Sequence, residues 1–236
     1  MQHCGVVILP LNFYGGDDLI MGHYTKEKAI SVVTLCAKAY KENLVDKSLL
    51  FVCVDKHNSI SCIEFTFDSS NFLHLTGLKP KQFIDSYGKE HTLNATEFYN
   101  RCTDSKLRFS EFDFASDGTT SLKLDVLPSI INKNLSAKMI GDYNSVNPKL
   151  YTEKLVGNIS ACMGFVKANH TGRYVPNTVL KVDVRNYTAG TLRVIAVFRK
   201  SVSDKEYREI TYRTKKTDWS KIQLPKEFEY LSSLIE

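Results

Sequence analysis

The last third of the chain constrains the fold most. VGNISACMGFVK, TVLKVDVRN, TLRVIAVFRK and YREITYRTKK are rich in β-branched and aromatic residues, and NHTGRYVPN, YTAG and SVSDKE separate them. Strand-forming runs at this spacing, bounded by turn residues, predict an antiparallel meander. Upstream, between residues 25 and 44, Ala29, Val32, Val33, Cys36, Ala37, Tyr40 and Leu44 recur at three- and four-residue steps and mark an amphipathic helix. LLFVCVD (49–55) and SISCIEFTF (59–67) flank the turn-prone KHN and predict a hairpin. The expected fold is α+β, with helices and a β-hairpin packed on a C-terminal four-stranded antiparallel sheet over about 156–216, in a single domain spanning 1–236.

The middle of the chain is less regular. NFLHLTGL predicts a short strand or strand end, placing His74 near an element terminus, and KPKQFIDSYG and NATEFYNRCTD predict short helices. SLKLDVLPSIINKNL predicts an extended piece running into a helix after Pro128, and GDYNSVNP (141–148) a turn-rich connector. With 236 residues, 43% hydrophobic and 24% charged, the composition is that of a soluble globular protein. Six cysteines without a CxxC pair predict a reducing, cytoplasmic setting. The opening MQHCGVVILPLNF lacks a basic flank and a small-residue cleavage site, so no signal peptide is expected. No segment approaches the roughly 20 apolar residues that span a bilayer, so no membrane partner is expected either.

Charge is unevenly placed. From Lys167 to Lys216 twelve basic residues stand against four acidic ones, while the remainder is slightly acidic. Such a segment suits a polyanion, and it equally suits a solvated, lysine-rich sheet edge. Read as strands, Lys181, Asp183 and Arg185 share a polar face opposite Leu180, Val182 and Val184, and basic residues alternate along TLRVIAVFRK and YREITYRTKK. Guanidinium groups on such a face match phosphate oxygens, but a water-facing sheet has the same periodicity. His74 is the histidine with a recognisable setting: an imidazole exchanges protons near neutral pH, and Thr76 stands two residues on to share a phosphate. A lone histidine on an apolar strand is nevertheless more often structural. In RYVPNT, Pro176 and Asn177 predict a turn that throws Arg173 and Tyr174 to a strand end. Cys53, His57 and Cys62 are close in sequence, yet burial alone accounts for cysteines in apolar strands. No metal or cofactor is expected.

NFLHLTGLK, the FYNRC helix, KLDVL, IGDYN, LVGNISACMGF, GRYVPNTVLKVDVR, VIAVFRK and YREITYR follow one another in an order that resembles the fourth phage-associated family of barnase, EndoU, colicin and RelE-like nucleases. The resemblance runs from about 26 to 216, with HLTG and YVPNT its most specific parts. It implies a compact nuclease of phages and mobile elements that cleaves RNA, tRNA among the candidates, without metal. The 2′-hydroxyl attacks the adjacent phosphate and leaves a 2′,3′-cyclic phosphate. Carried onto this chain, it implies catalytic roles for His74, Arg185, Lys200, Tyr174 and Thr211, and substrate contacts from Thr76, Arg173, Asn177, Thr178 and Asp183. His74 is then base or acid, and the second proton carrier is Tyr174, Lys200 or Asp183. The implied partners are RNA and an antitoxin or a host or phage protein. Two other functions compete: an inactive module binding nucleic acid or protein, and a nucleotide-handling transferase in which His74 and Arg185 grip phosphates.

Overall fold

The computed structural model describes residues 24–144, 150–169 and 171–235. The predictions made for the first residues of the chain, and for much of GDYNSVNP, lie outside them. Helix α1 (Lys26–Asn43) begins where the Thr25 hydroxyl accepts the Lys28 N–H at 3.2 Å, and it buries Ala29, Val33, Cys36, Ala37 and Tyr40. Strands β1 (Lys47–Val54) and β2 (Ile60–Thr66) form the expected hairpin, its turn held by Asp55, whose carboxylate accepts the N–H groups of His57 and Ser59 at 2.8 Å each.

The next segment departs from its prediction. NFLHLT is a helix end, α2 (Phe72–Thr76), and not a strand. Asp68 and Asn71 form a reciprocal cap over the preceding 3-10 turn, and Gly77, at φ 71°, terminates the helix in the left-handed region. KPKQFIDSYG also differs, giving strand β3 (Leu78–Pro80) and a small hairpin of β4 (Phe83–Ile84) and β5 (Glu90–His91). Asp85 builds that turn by accepting from Tyr87 and Lys89. Helix α3 (Ala95–Thr103) is where NATEFYNRCTD predicts it, with an Asn94–Glu97 capping box. After β6 (Phe112–Phe114), which pairs with β3, helix α4 (Thr119–Ile130) takes in the whole of SLKLDVL and carries Pro128 in its last turn. Its buried residues include Thr120, Leu124, Leu127 and Ile130, at helical spacing, which the shorter alternation of Leu122, Leu124 and Val126 disguised.

The C-terminal four-stranded sheet is not formed. Strands β7 (Met139–Tyr143), β8 (Lys154–Gly157), β9 (Cys162–Lys167), β10 (Tyr174–Leu180) and β11 (Thr188–Ser201) join the N-terminal hairpin in the order β1-β2-β10-β9-β8-β7-β11. Because β11 also pairs with β1, these seven strands close into a mixed barrel, and β12 (Glu209–Arg213) extends from β11. The β10–β2 seam, where Tyr174 lies opposite Phe65, is parallel; the other pairings are antiparallel. The physical reason is the length of β11: one of its edges is taken by β1, and the other is divided between β7 and β12. VGNISACMGFVK, read as one strand, is two, with a tight turn between Gly157 and Cys162.

Strict alternation also fails along β11. The partners of Val52 and Cys53 are Ala196 and Val194, so Ile195 bulges. Val194 and Val197 enter the larger core, and Ile195, Ala196 and Phe198 enter a second. The larger core receives residues from α1 to α4 and from every barrel strand. The second is completed by Tyr207, Leu224, Leu231 and Ile235, the last on α5 (Ser232–Ile235).

Phe65 anchors the parallel seam: fully buried, its ring centroid lies 5.4 Å from Phe51, 4.3 Å from Phe165 and 5.6 Å from Tyr174. Phe65→Ala is expected to lower unfolding free energy by about 3–5 kcal/mol in chemical denaturation, because no neighbour can fill the space of the lost ring.

Candidate active site

One cleft gathers titratable side chains from distant parts of the sequence, and its first wall is the corner between α2 and β3. Thr76 is fully buried; its hydroxyl donates to the Leu73 carbonyl at 2.8 Å and accepts the Leu78 N–H at 3.1 Å, so it shapes the corner from beneath. The Gly77 carbonyl accepts from the Thr120 hydroxyl at 2.8 Å, and that hydroxyl accepts the Ala115 N–H at 2.9 Å. One helical turn on, Lys123 Nζ donates to the His74 carbonyl at 2.9 Å. Residues three apart on α4 thus clamp the corner at two points. Glycine is required at 77 for two reasons: its φ is positive, and a Cβ there would stand 2.9 Å from Lys123 Cδ and 3.1 Å from the Thr120 backbone.

The second wall is β10 and the segment before β8. Pro176 pairs with Phe165 and Thr178 with Gly164, leaving Asn177 as the extra residue of a bulge. RYVPNT is therefore mostly strand, not the expected turn, and the bulge tolerates a proline that has no N–H to give to a ladder. Asn177 Nδ2 donates to the Tyr151 carbonyl and its Oδ1 accepts from Thr152 at 3.2 Å. Gly164 makes room for both threonines, since a Cβ there would lie 2.7 Å from Thr178 Cγ2 and 3.0 Å from Thr152.

Between the walls lies a cleft of about 530 Å³, lined on one side by His74, Lys79, Asp117, Thr119 and Lys123 and on the other by Tyr151, Thr152, Asn177 and Thr178. Asp117 is committed to the start of α4, accepting the Thr119 N–H at 3.0 Å and its hydroxyl at 2.6 Å. Desolvation, then the charges of Lys123 and Lys79, hold the His74 pKa below the usual 6.5. Burial, with Lys79 adding to it and Asp117 opposing it, lowers Lys123 to about 8. Two groups of lowered proton affinity sharing one concave site is a pattern of acid–base centres.

The residues singled out from the sequence are distributed unevenly about this cleft. His74, Asn177 and Thr178 line it. Tyr174 begins β10, its ring 5.4 Å from Lys154 Nζ and 5.5 Å from Lys167 Nζ, with Arg173 exposed just ahead of it. Asp183 and Arg185 are not on a strand: they start a 3-10 turn and pair with each other at 2.6 Å, which raises the Arg185 pKa and holds the Asp183 carboxyl below its usual range. Lys200 lies 4.5 Å over the Tyr207 ring and donates to the Lys205 carbonyl, and Thr211, the bulged residue of β12, donates to the Val197 carbonyl at 3.1 Å. β11 and β12 are reached from β10 only across β2 and β1 or across β9, β8 and β7. The sequence reading missed Lys79, Asp117, Thr119, Thr152 and Lys123. Lys79 adjoins the HLTG motif, and Lys123 would have been found by assigning SLKLDVL to a helix.

Cys53 is fully buried and Cys62 stands on the neighbouring strand; among the described residues no group of three or more His, Cys, Asp or Glu is placed to hold a metal. Among them, too, no helix is long and apolar enough to cross a membrane.

Gly77→Ala is expected to cost about 1–3 kcal/mol in denaturant unfolding, from the positive φ and the clash with α4. The same substitution should shift the His74 ring resonances in NMR spectra, because Lys123 and His74 are joined across that glycine.

No curated protein and no solved structure matches the chain. The sequence model of the phage-Barnase-EndoU-ColicinE5/D-RelE like nuclease4 family matches residues 33–216, from within α1 to just past β12, with both walls of the cleft inside the match. The chain belongs to this family of nucleases.

Proposed function

We propose that the protein is an endoribonuclease that cleaves RNA without a metal ion, by attack of a ribose 2′-hydroxyl on the neighbouring phosphate. The observation that carries this reading is His74, partly exposed and of lowered basicity, in a cleft whose other charged groups include two lysines, within a nuclease family. At neutral pH an imidazole with a pKa below 6.5 is mostly unprotonated and fit to take the 2′-hydroxyl proton. Lys79 and Lys123 bring positive charge toward a bound phosphodiester, and Thr178 and Asn177 offer hydrogen bonds to its oxygens. Along β10, the Tyr174 ring between Lys154 and Lys167 suits a nucleobase of the same strand. The remaining residues carried over from the family, Thr76, Arg173, Asp183, Arg185, Lys200 and Thr211, do not line the cleft, so in this reading they do not act on the reacting phosphate. As a weapon of a phage or other mobile element against a host or rival, such an enzyme would need a protective partner over this cleft.

Purified wild-type and His74→Ala protein, incubated with mixed RNA in EDTA, test the reading. Wild type should yield 2′,3′-cyclic phosphate and 5′-hydroxyl ends, His74→Ala should be slower by about 10²–10⁴-fold, and the acid limb of the wild-type rate should fall below pH 6.5. RNA binding that weakens with salt, with no product from wild type, would instead establish a binding module.

A further inference from the structure

We infer that Lys123 is the second proton carrier of this site, the general acid that protonates the departing 5′-oxygen. This rests on the nuclease reading and replaces the candidates that the family resemblance offered, Tyr174, Lys200 and Asp183. Its geometry is specific. The Lys123 stem crosses the corner where Gly77 leaves room for it, and Nζ is tied to the backbone carbonyl of His74, the proposed base. An ammonium carries three N–H donors, and among the described residues this one uses a single hydrogen bond and makes no ion pair. By contrast Lys26, Lys154 and Lys181 are each paired to a carboxylate. Tyr174, Lys200 and Asp183, the other carriers considered, do not line the cleft.

The groups facing Lys123 set its chemistry: His74 from α2, Lys79 from β3, and Asp117 from the turn before α4. With burial and Lys79 lowering its pKa to about 8, the ammonium is still mostly charged at neutral pH and gives up its proton more readily than an exposed lysine. His74 is then neutral and Lys123 protonated, the states a base and an acid must start in. The imidazole takes the 2′-hydroxyl proton, O2′ bonds to phosphorus, the P–O5′ bond breaks, and Nζ delivers its proton to O5′. The products are a 2′,3′-cyclic phosphate, a 5′-hydroxyl, imidazolium and a neutral amine, and proton exchange with water resets the pair.

The test compares a short RNA containing one ordinary phosphodiester with the same RNA carrying a 5′-bridging phosphorothioate, whose thiolate leaves without protonation. Full-length Lys123→Met, which keeps an unbranched stem across Gly77, should cut the oxygen linkage about 10²–10⁴-fold more slowly than wild type and the sulfur linkage at close to the wild-type rate. Lys123→Arg, which keeps the charge but holds its proton, should show the same selective deficit. Equal losses on both linkages, or rescue by Arg, would make Lys123 a charge or a tether and overturn the inference. Should the variants melt before assay, the wild type alone decides. Its rate on the oxygen linkage should decline above about pH 8 while that on the sulfur linkage does not, and a shared decline refutes the assignment. If wild type cuts neither linkage, the nuclease reading itself fails, an outcome distinct from loss in the variants alone.

Discussion

Strand β11 is the element on which the rest of the structure depends. Fourteen residues long, it gives one edge to β1 and the other to β7 and β12. A strand saturated on both edges has no free backbone to offer a neighbouring chain, and here it also closes seven strands into a barrel. Strand β1 is buried on both faces: closure puts Leu49, Phe51 and Cys53 in the larger core, and the C-terminal segment bearing Leu224, Leu231 and Ile235 covers Leu50, Val52 and Val54 in the second. The second core holds a polar contact, with Ser48 bonded to Glu64 at 2.7 Å and to the Tyr207 hydroxyl at 2.8 Å, which ties β1 and β2 to the segment between β11 and β12.

Closure also makes the cleft possible. One wall comes from residues 73–123 and the other from residues 150–178, so neither contains a site alone. The barrel holds the β10 wall still through the Phe65 seam and the β9 pairing, while α4 holds the opposite corner through Thr120 and Lys123. Two glycines permit the approach, Gly77 under the lysine stem and Gly164 behind the threonines.

The basic C-terminal segment does not form one groove. Arg185 is taken by Asp183, Arg199 by Glu209 and Lys181 by Asp125, and these pairs are spread around the barrel and over α4. The two lysines of the cleft come from the slightly acidic body of the chain instead. Their effect is local: added to desolvation in the cleft, Lys79 lowers the proton affinity of Lys123 and both lysines lower that of His74, which is a more specific device than net charge.

Local patterning alone determined α1, the β1–β2 hairpin, α3 and the positions of most later strands, because helix periodicity, caps and Asp or Asn turns are encoded within a few residues. The HLTG and YVPNT motifs were visible for the same reason, and each contributes to the cleft. Tertiary structure decided what such patterns cannot carry. Alternation does not say which edge a strand pairs with, so the barrel was read as an open four-stranded sheet. Nor does it say where a bulge falls, so the irregularities at Ile195 and Thr211 were not foreseen and Asn177, expected in a turn, is the bulged residue of a strand. Lys123 was missed because its helix resembles a strand over five residues, and its proximity to His74 is a contact across 49 positions of sequence. The proposed proton-transfer pair depends on distances and desolvation, and both exist only after the chain has closed on itself.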